Sequence, residues 1–282
     1  MDLDVLRFLA APFVASLILT GIHAYLGVHV VERGVIFVDL SLAQIAALGS
    51  TMAILLPFTD QDPHGPWVYW TGLAFTFIGA AIFSTVRVRR ARIPQEAVIG
   101  IAYAVASAAT ILAMSHATSE SEHLKDMLVG NILAVSWENV GKTAALYAVI
   151  GLFHYLFRRQ FLAISLDHDK AEREGLAVRR WDFLFYASFG FVVTSSVLIA
   201  GVLLVFCYLI VPSVAAMLYA DRIGPRLAIG WTMGTVVSAL GIYLSVKLDL
   251  PTGAAMVCTF GLVLVLMAAA RPLLRRPLGQ PS

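Results

Sequence analysis

The chain has 282 residues, of which 59% are hydrophobic and only 13% are Asp, Glu, Lys or Arg, about half the charged fraction of a water-soluble domain. That composition excludes a soluble globular protein, and a net charge of +2 is too small to suggest a nucleic-acid partner. Cys207 and Cys258 lie in apolar stretches without ligand spacing, so both read as packing residues and imply neither a disulfide framework nor a thiolate metal centre. The remaining class is an all-α, polytopic membrane helix bundle.

The segment from Met1 to Arg7 lacks a basic n-region and a small-residue cleavage site, so the apolar run behind it is expected to remain as a span. A crossing needs roughly 20 predominantly apolar residues. Phe8 to Leu26, Pro66 to Val86, Ala97 to Ser115, Leu227 to Val246 and Pro251 to Ala270 meet this without a charged side chain. Gly34 to Phe58 qualifies with one carboxylate, Asp39, and Trp137 to Phe157 carries Glu138 and Lys142 at its interfacial start. Phe183 to Ala220 is nearly twice a span length and contains Gly201 and Pro212, so it reads either as two spans or as one span with a broken helix. The total is eight to nine spans in a single transmembrane domain over residues 1–282.

Lys and Arg collect in cytoplasmic loops of membrane proteins. The clusters at Arg87 to Arg92, at Arg158 to Arg180 and at Arg271 to Arg276 are therefore assigned to the cytoplasm, and 59–65 and 116–122, free of Lys and Arg, to the outside. If the long stretch crosses twice, Arg222 and Arg226 also fall inside, giving nine crossings with the amino terminus out. The connection 158–182 is a cytoplasmic loop with a helical signal of its own.

Ser136 to Thr143 approaches the phosphate-binding Gly-x-x-x-x-Gly-Lys-Thr, but Ser136 replaces the first glycine and no βαβ unit surrounds it, so it reads as a helix start. Asp39 is the strongest candidate, because an ionisable group inside a span is costly and marks a pathway, a paired site or a cap at the helix start. Ser41 and Gln44 follow it as further candidates for the transport path, while Ala43 shares its helical face. Seven histidines form no ligand motif; His23 and His154 lie within spans and His29 near a span end. Gly230, Gly234 and Ser238 have small-xxx-small spacing, which reads as close helix packing, within the chain or across a dimer. Thr194, Ser195 and Ser196 read as hydroxyls bonded to their own backbone rather than as a polar path.

In order along the chain, these features resemble the permease subunits of ABC importers for zinc and manganese. The resemblance rests on Arg33-Gly-Val-Ile-Phe-Val-Asp39-Leu-Ser-Leu-Ala-Gln, Leu128-Val-Gly-Asn131-Ile-Leu, the loop Asp167-His-Asp-Lys-Ala171-Glu-Arg-Glu-Gly175, Ala200-Gly-Val-Leu-Leu-Val with Leu209-Ile-Val-Pro212-Ser-Val-Ala-Ala216, and Asp249-Leu-Pro251-Thr-Gly253. It implies a type II importer permease in the bacterial inner membrane, paired as a homodimer among membrane lipids. It further implies a separate ATPase subunit that binds ATP and an extracytoplasmic metal-binding protein. The cargo would be a divalent metal ion, with no tightly bound cofactor and no catalysis by this chain. Asp167, Ala171 and Gly175 become the candidate ATPase-coupling loop, with Ala171 and Gly175 on one helical face.

One departure stands out. The family pattern places a histidine four residues after the aspartate, where this chain has Ala43, and Gln44 is turned about 140° from Asp39 on a regular helix. Asp39 and His23 are thus the candidate metal ligands. The alternatives are a secondary transporter using Asp39 for a coupling proton, and an intramembrane enzyme.

Overall fold

The structure, a computed structural model, describes residues 3–55, 66–86, 94–115 and 132–274. Ten α-helices and one short 3-10 turn are described: α1 (Leu3–Glu32), α2 (Val38–Leu55), α3 (Pro66–Val86), α4 (Gln95–Met114), the turn Ile132–Ala134, α5 (Trp137–Leu156), α6 (Arg158–Leu166), α7 (His168–Arg173), α8 (Val178–Met217), α9 (Ile223–Leu248) and α10 (Thr252–Leu274). Only helices or closed barrels satisfy every backbone N–H and C=O in hydrocarbon, and this sequence takes the helical solution. Seven of these helices are long and apolar enough to cross alone, and α5 with α6, bent by 73° at Phe157, makes an eighth span. Parts of the family-like stretch around Leu128 and Asn131, the segments 59–65 and 116–122, the cluster Arg87 to Arg92, and His64, His116 and His123 lie outside the described residues.

Polar contacts sort the helix ends. At one end, Arg33 reaches Ser165 and Asp182, Gln95 donates to the Phe83 carbonyl and the Tyr186 hydroxyl, and Arg226 pairs with Glu32 and donates to the Ala220 carbonyl. This is the end the basic clusters assign to the cytoplasm, and it will be called the basic end. At the other end Ser50 donates to the Val68 carbonyl and Ser245 bonds Thr252.

Both ends of α8 lie at the basic end. Phe185 packs on His29, yet Ser213 Oγ reaches the Ala24 carbonyl. Were α8 straight, Phe185 and Ser213 would stand about 42 Å apart at 1.5 Å per residue, far beyond the single helix turn separating Ala24 from His29. The chain therefore turns back inside the element, and it does so at Gly201, whose φ of 74° and ψ of 161° break the helix. That conformation is essentially confined to glycine. The leg 178–200 runs antiparallel to α1 and the leg 202–217 returns parallel to it, so with the legs counted separately the described helices make nine passages along the bundle. The return leg is about 24 Å long. The start of α1 and the end of α10 consequently lie at opposite ends, as the charges require for a twice-crossing stretch.

Small residues permit this tight return. A Cβ on Gly27 would lie 2.0 Å from the Leu209 carbonyl oxygen, so α1 and the return leg meet backbone to backbone. Gly230 faces Ala24, Gly234 faces Thr20, and Ser238 accepts or donates at the Tyr208 hydroxyl. The small-residue set thus packs α9 within this chain, onto α1 and α8, and its side chains are not offered to a second copy. Cys207 is buried as expected, whereas Cys258 is exposed on the outer surface of α10 and does not pack in the core.

Gly201→Ala is expected to destabilise the protein by about 1–3 kcal/mol, while Gly100→Ala, where an added methyl meets nothing within 4 Å, should be neutral or slightly stabilising. The thermal unfolding midpoints of the two purified variants in detergent provide the comparison; equal midpoints would mean that the turn does not need glycine.

Candidate transport site

α1 ends and α2 begins in a closed turn. Gly34 N–H donates to the Val31 carbonyl and Val35 N–H to the Val30 carbonyl, the paired bonds of a glycine-terminated helix. Val38 N–H bonds back to Val35, and α2 then starts one residue before Asp39. The free amide of Phe37 is capped from another helix, by Glu96 Oε1 at 3.0 Å. The capping role open to Asp39 is therefore filled by Glu96.

Asp39 is 1% exposed, and neither of its carboxylate oxygens has a hydrogen-bond partner among the described residues. Buried polar groups are nearly always satisfied, so two bare carboxylate oxygens need an explanation. Ser41 is likewise fully buried, its hydroxyl without a partner. Gln44 is only partly buried, and Ala43 is packed into the apolar core. Among the described residues no group of three or more His, Cys, Asp or Glu is arranged to hold a metal ion.

His23 is fully buried and hydrogen-bonded through both ring nitrogens. Its Nδ1 bonds the Leu19 carbonyl at 2.8 Å and its Nε2 bonds Ser196 Oγ at 3.1 Å, so both nitrogens are occupied. Ser196 also meets the Tyr147 hydroxyl at 2.5 Å, and Tyr147 reaches Ser195 and the Val192 carbonyl. This network joins α1, α5 and α8. Thr194 similarly bonds Thr76 of α3 at 3.2 Å, and Ser195 and Ser196 also donate to their own helix backbone. His29 and His154 are engaged with Ser165 and Ser188.

The loop 158–182 folds into α6 and α7. Asp167 is the N-cap of α7, its carboxylate accepting from Lys170 N–H at 2.9 Å. Ala171 is 1% exposed and packs with Ile164 and Val178, so it shapes the loop from inside. Gly175 lies beyond the end of α7 with a φ of 83° and an open flank, so it does not share a helical face with Ala171 as the spacing suggested. The outward surface is charged instead: Asp169, Lys170, Glu172, Arg173 and Glu174 are exposed. Ser136, the approximate phosphate-loop position, is the N-cap of α5 and accepts from Asn139 N–H, while Lys142 pairs with Glu138 on the surface.

With this geometry in view, comparison with known proteins defines the class. The model of the ABC 3 transport family matches residues 5–271, and the chain belongs to that family. The manganese transport system membrane protein MntC of Listeria monocytogenes is 31% identical over 196 residues, which cover 67% of this chain and 69% of that one. The chelated iron transport system membrane protein YfeC of Yersinia pestis is 26% identical over 242 residues, 86% of this chain and 79% of the relative. The fold is that of PsaBC from Streptococcus pneumoniae, solved in complex with Fab, with a TM-score of 0.77 at 24% identity over 94% of this chain and 93% of that one. The protein is thus a multi-pass ABC transporter permease and is not itself catalytic.

Because both imidazole nitrogens of His23 are engaged, His23→Ala is expected to lower stability by about 1–3 kcal/mol, the cost of stranding buried hydrogen-bonding groups. The preference among metals in a transport assay should not change. Thermal unfolding together with competition uptake checks both halves, and an altered metal preference at unchanged stability would restore His23 as a ligand.

Proposed function

We propose that this chain is the membrane-spanning half-pathway of an ABC importer that carries a divalent transition metal, manganese or zinc, inward across the bacterial inner membrane. The observation that carries the reading is Asp39, a buried carboxylate with both oxygens unpartnered, at the start of a membrane helix in an ABC 3 family permease. Carboxylate oxygens suit manganese and tolerate zinc. A site with few protein ligands suits passage, since an ion bound too tightly does not leave. Ser41 lies within the same turn region and Gln44 closer to the helix surface. The manganese and chelated-iron transport systems named for the relatives support a metal cargo.

No ATP site is legible in the chain, so the energy comes from a separate ATPase subunit docked at the basic end, on the charged outer face of α7. An extracytoplasmic metal-binding protein delivers the ion at the opposite end, and two copies of the permease form the pathway. Asp167 and Ala171 keep α7 in shape for that docking, and Gly175 ends it.

Two outcomes follow. In vesicles reconstituted with the ATPase and the binding protein, Asp39→Asn should lower metal uptake by about tenfold or more, the effect of losing roughly 1.4 kcal/mol, with the assembly intact; normal uptake would remove Asp39 from the path. Ala171→Leu overpacks the loop by about 1–3 kcal/mol and should weaken co-purification of the ATPase. Undiminished co-purification would take this loop out of the interface.

A further inference from the structure

Arg33 is the first residue after α1, opening the turn that leads to Asp39, and its side chain is fully buried. One guanidinium grips two other elements at once. Its Nη1 donates to Asp182 Oδ1 at 2.5 Å, at the start of α8, and its Nε donates to Ser165 Oγ at 2.8 Å, near the end of α6. The Ser165 hydroxyl in turn meets His29 Nδ1 at 2.8 Å, and the guanidinium carbon stands 4.0 Å from the centre of the Phe185 ring. α6 is anchored in the same place by Phe161, fully buried and stacked on His154.

Stability alone does not account for this arrangement. A buried ion pair loses in desolvation much of what it gains by attraction, and apolar residues of similar volume are often as stable or more so. What the pair adds is direction. The planar fork of arginine holds two acceptors in fixed geometry, which a lysine ammonium does not reproduce. From Ser165 the chain runs through Asp167 to α7, whose outer face is charged; from Arg33 it runs through the hydrogen-bonded turn to Asp39.

We infer that Arg33, with Ser165 and Asp182, is the link that passes movement of the α6–α7 loop to the turn bearing Asp39, so that these three are positioning residues for transport. The inference rests on the importer reading above, with the ATPase acting on that loop. Movement of α6 shifts Ser165, the guanidinium follows, and the short turn leaves little slack before the first turn of α2.

The test uses the complete transporter in vesicles, measuring manganese uptake and ATP hydrolysis in the same sample. Arg33→Lys keeps a positive charge for Asp182 but loses the simultaneous bond to Ser165, and Ser165→Ala removes that bond from the other side. Each should retain ATPase co-purification and hydrolysis while uptake per ATP falls by about tenfold, within the usual range of coupling between sites. The double variant should be no worse than the poorer single variant, because both cut one link. A merely structural role would lower uptake and hydrolysis together and leave their ratio unchanged. Unchanged uptake per ATP in both variants, or additive losses in the double variant, would overturn the inference while the unmodified transporter still works. Absence of ATP-driven uptake in the unmodified transporter would instead overturn the importer reading and this inference with it.

Discussion

Hydrocarbon offers no hydrogen-bond partner to a free N–H or C=O, and this constraint shapes the whole chain. It makes the long apolar runs helical, and it confines each interruption to places where protein surrounds the backbone or water reaches it. The glycine-ended turn between α1 and α2, the bend at Phe157 and the reversal at Gly201 are the interruptions that matter. Around them the molecule concentrates its polar groups. The first leads into Asp39, the second into the α6–α7 loop, and the third folds a 40-residue helix back toward the basic end.

Two buried acids show how differently the same cost can be met. Asp182 is held by Arg33 in a pair shielded from solvent on both sides, so its charge is matched where it stands. Asp39 is buried as deeply, yet no described side chain or amide meets its oxygens. An isolated carboxylate in such a place is expensive. One acid is answered where it stands; the other is left without a hydrogen-bond partner among the described residues. Glu96 makes the contrast sharper, since by capping Phe37 it fills the structural role that Asp39 would otherwise have at the helix start.

The loop gives a lesson about small residues. Four-residue spacing between Ala171 and Gly175 looks like a docking face if the helix continues through both. It does not, because α7 stops at Arg173 and Gly175 closes it with a left-handed residue. Ala171 is small because Ile164 and Val178 crowd it from inside. Likewise, the glycines of α9 are small because α1 lies against them. Spacing predicted close approach in both cases, and correctly for α9, but it could not say which neighbour approaches.

Membrane character, the apolar runs and the acid Asp39 inside one of them were legible along the chain, because hydropathy and an acid inside a span are properties of residues in order. The double passage of Phe183 to Ala220 was half legible: its length, Gly201 and Pro212 left two spans or one broken helix open, and Arg222 and Arg226 were compatible with two crossings. Only the tertiary structure decided the rest. Which residue caps the start of α2, how the nitrogens of His23 are bonded, and which acid answers Arg33 depend on residues far apart along the chain, such as Phe37 with Glu96, Arg33 with Asp182 and His23 with Ser196. Hydrogen-bond satisfaction is a property of three-dimensional neighbours, and no local pattern in the sequence encodes which distant side chain will fill it.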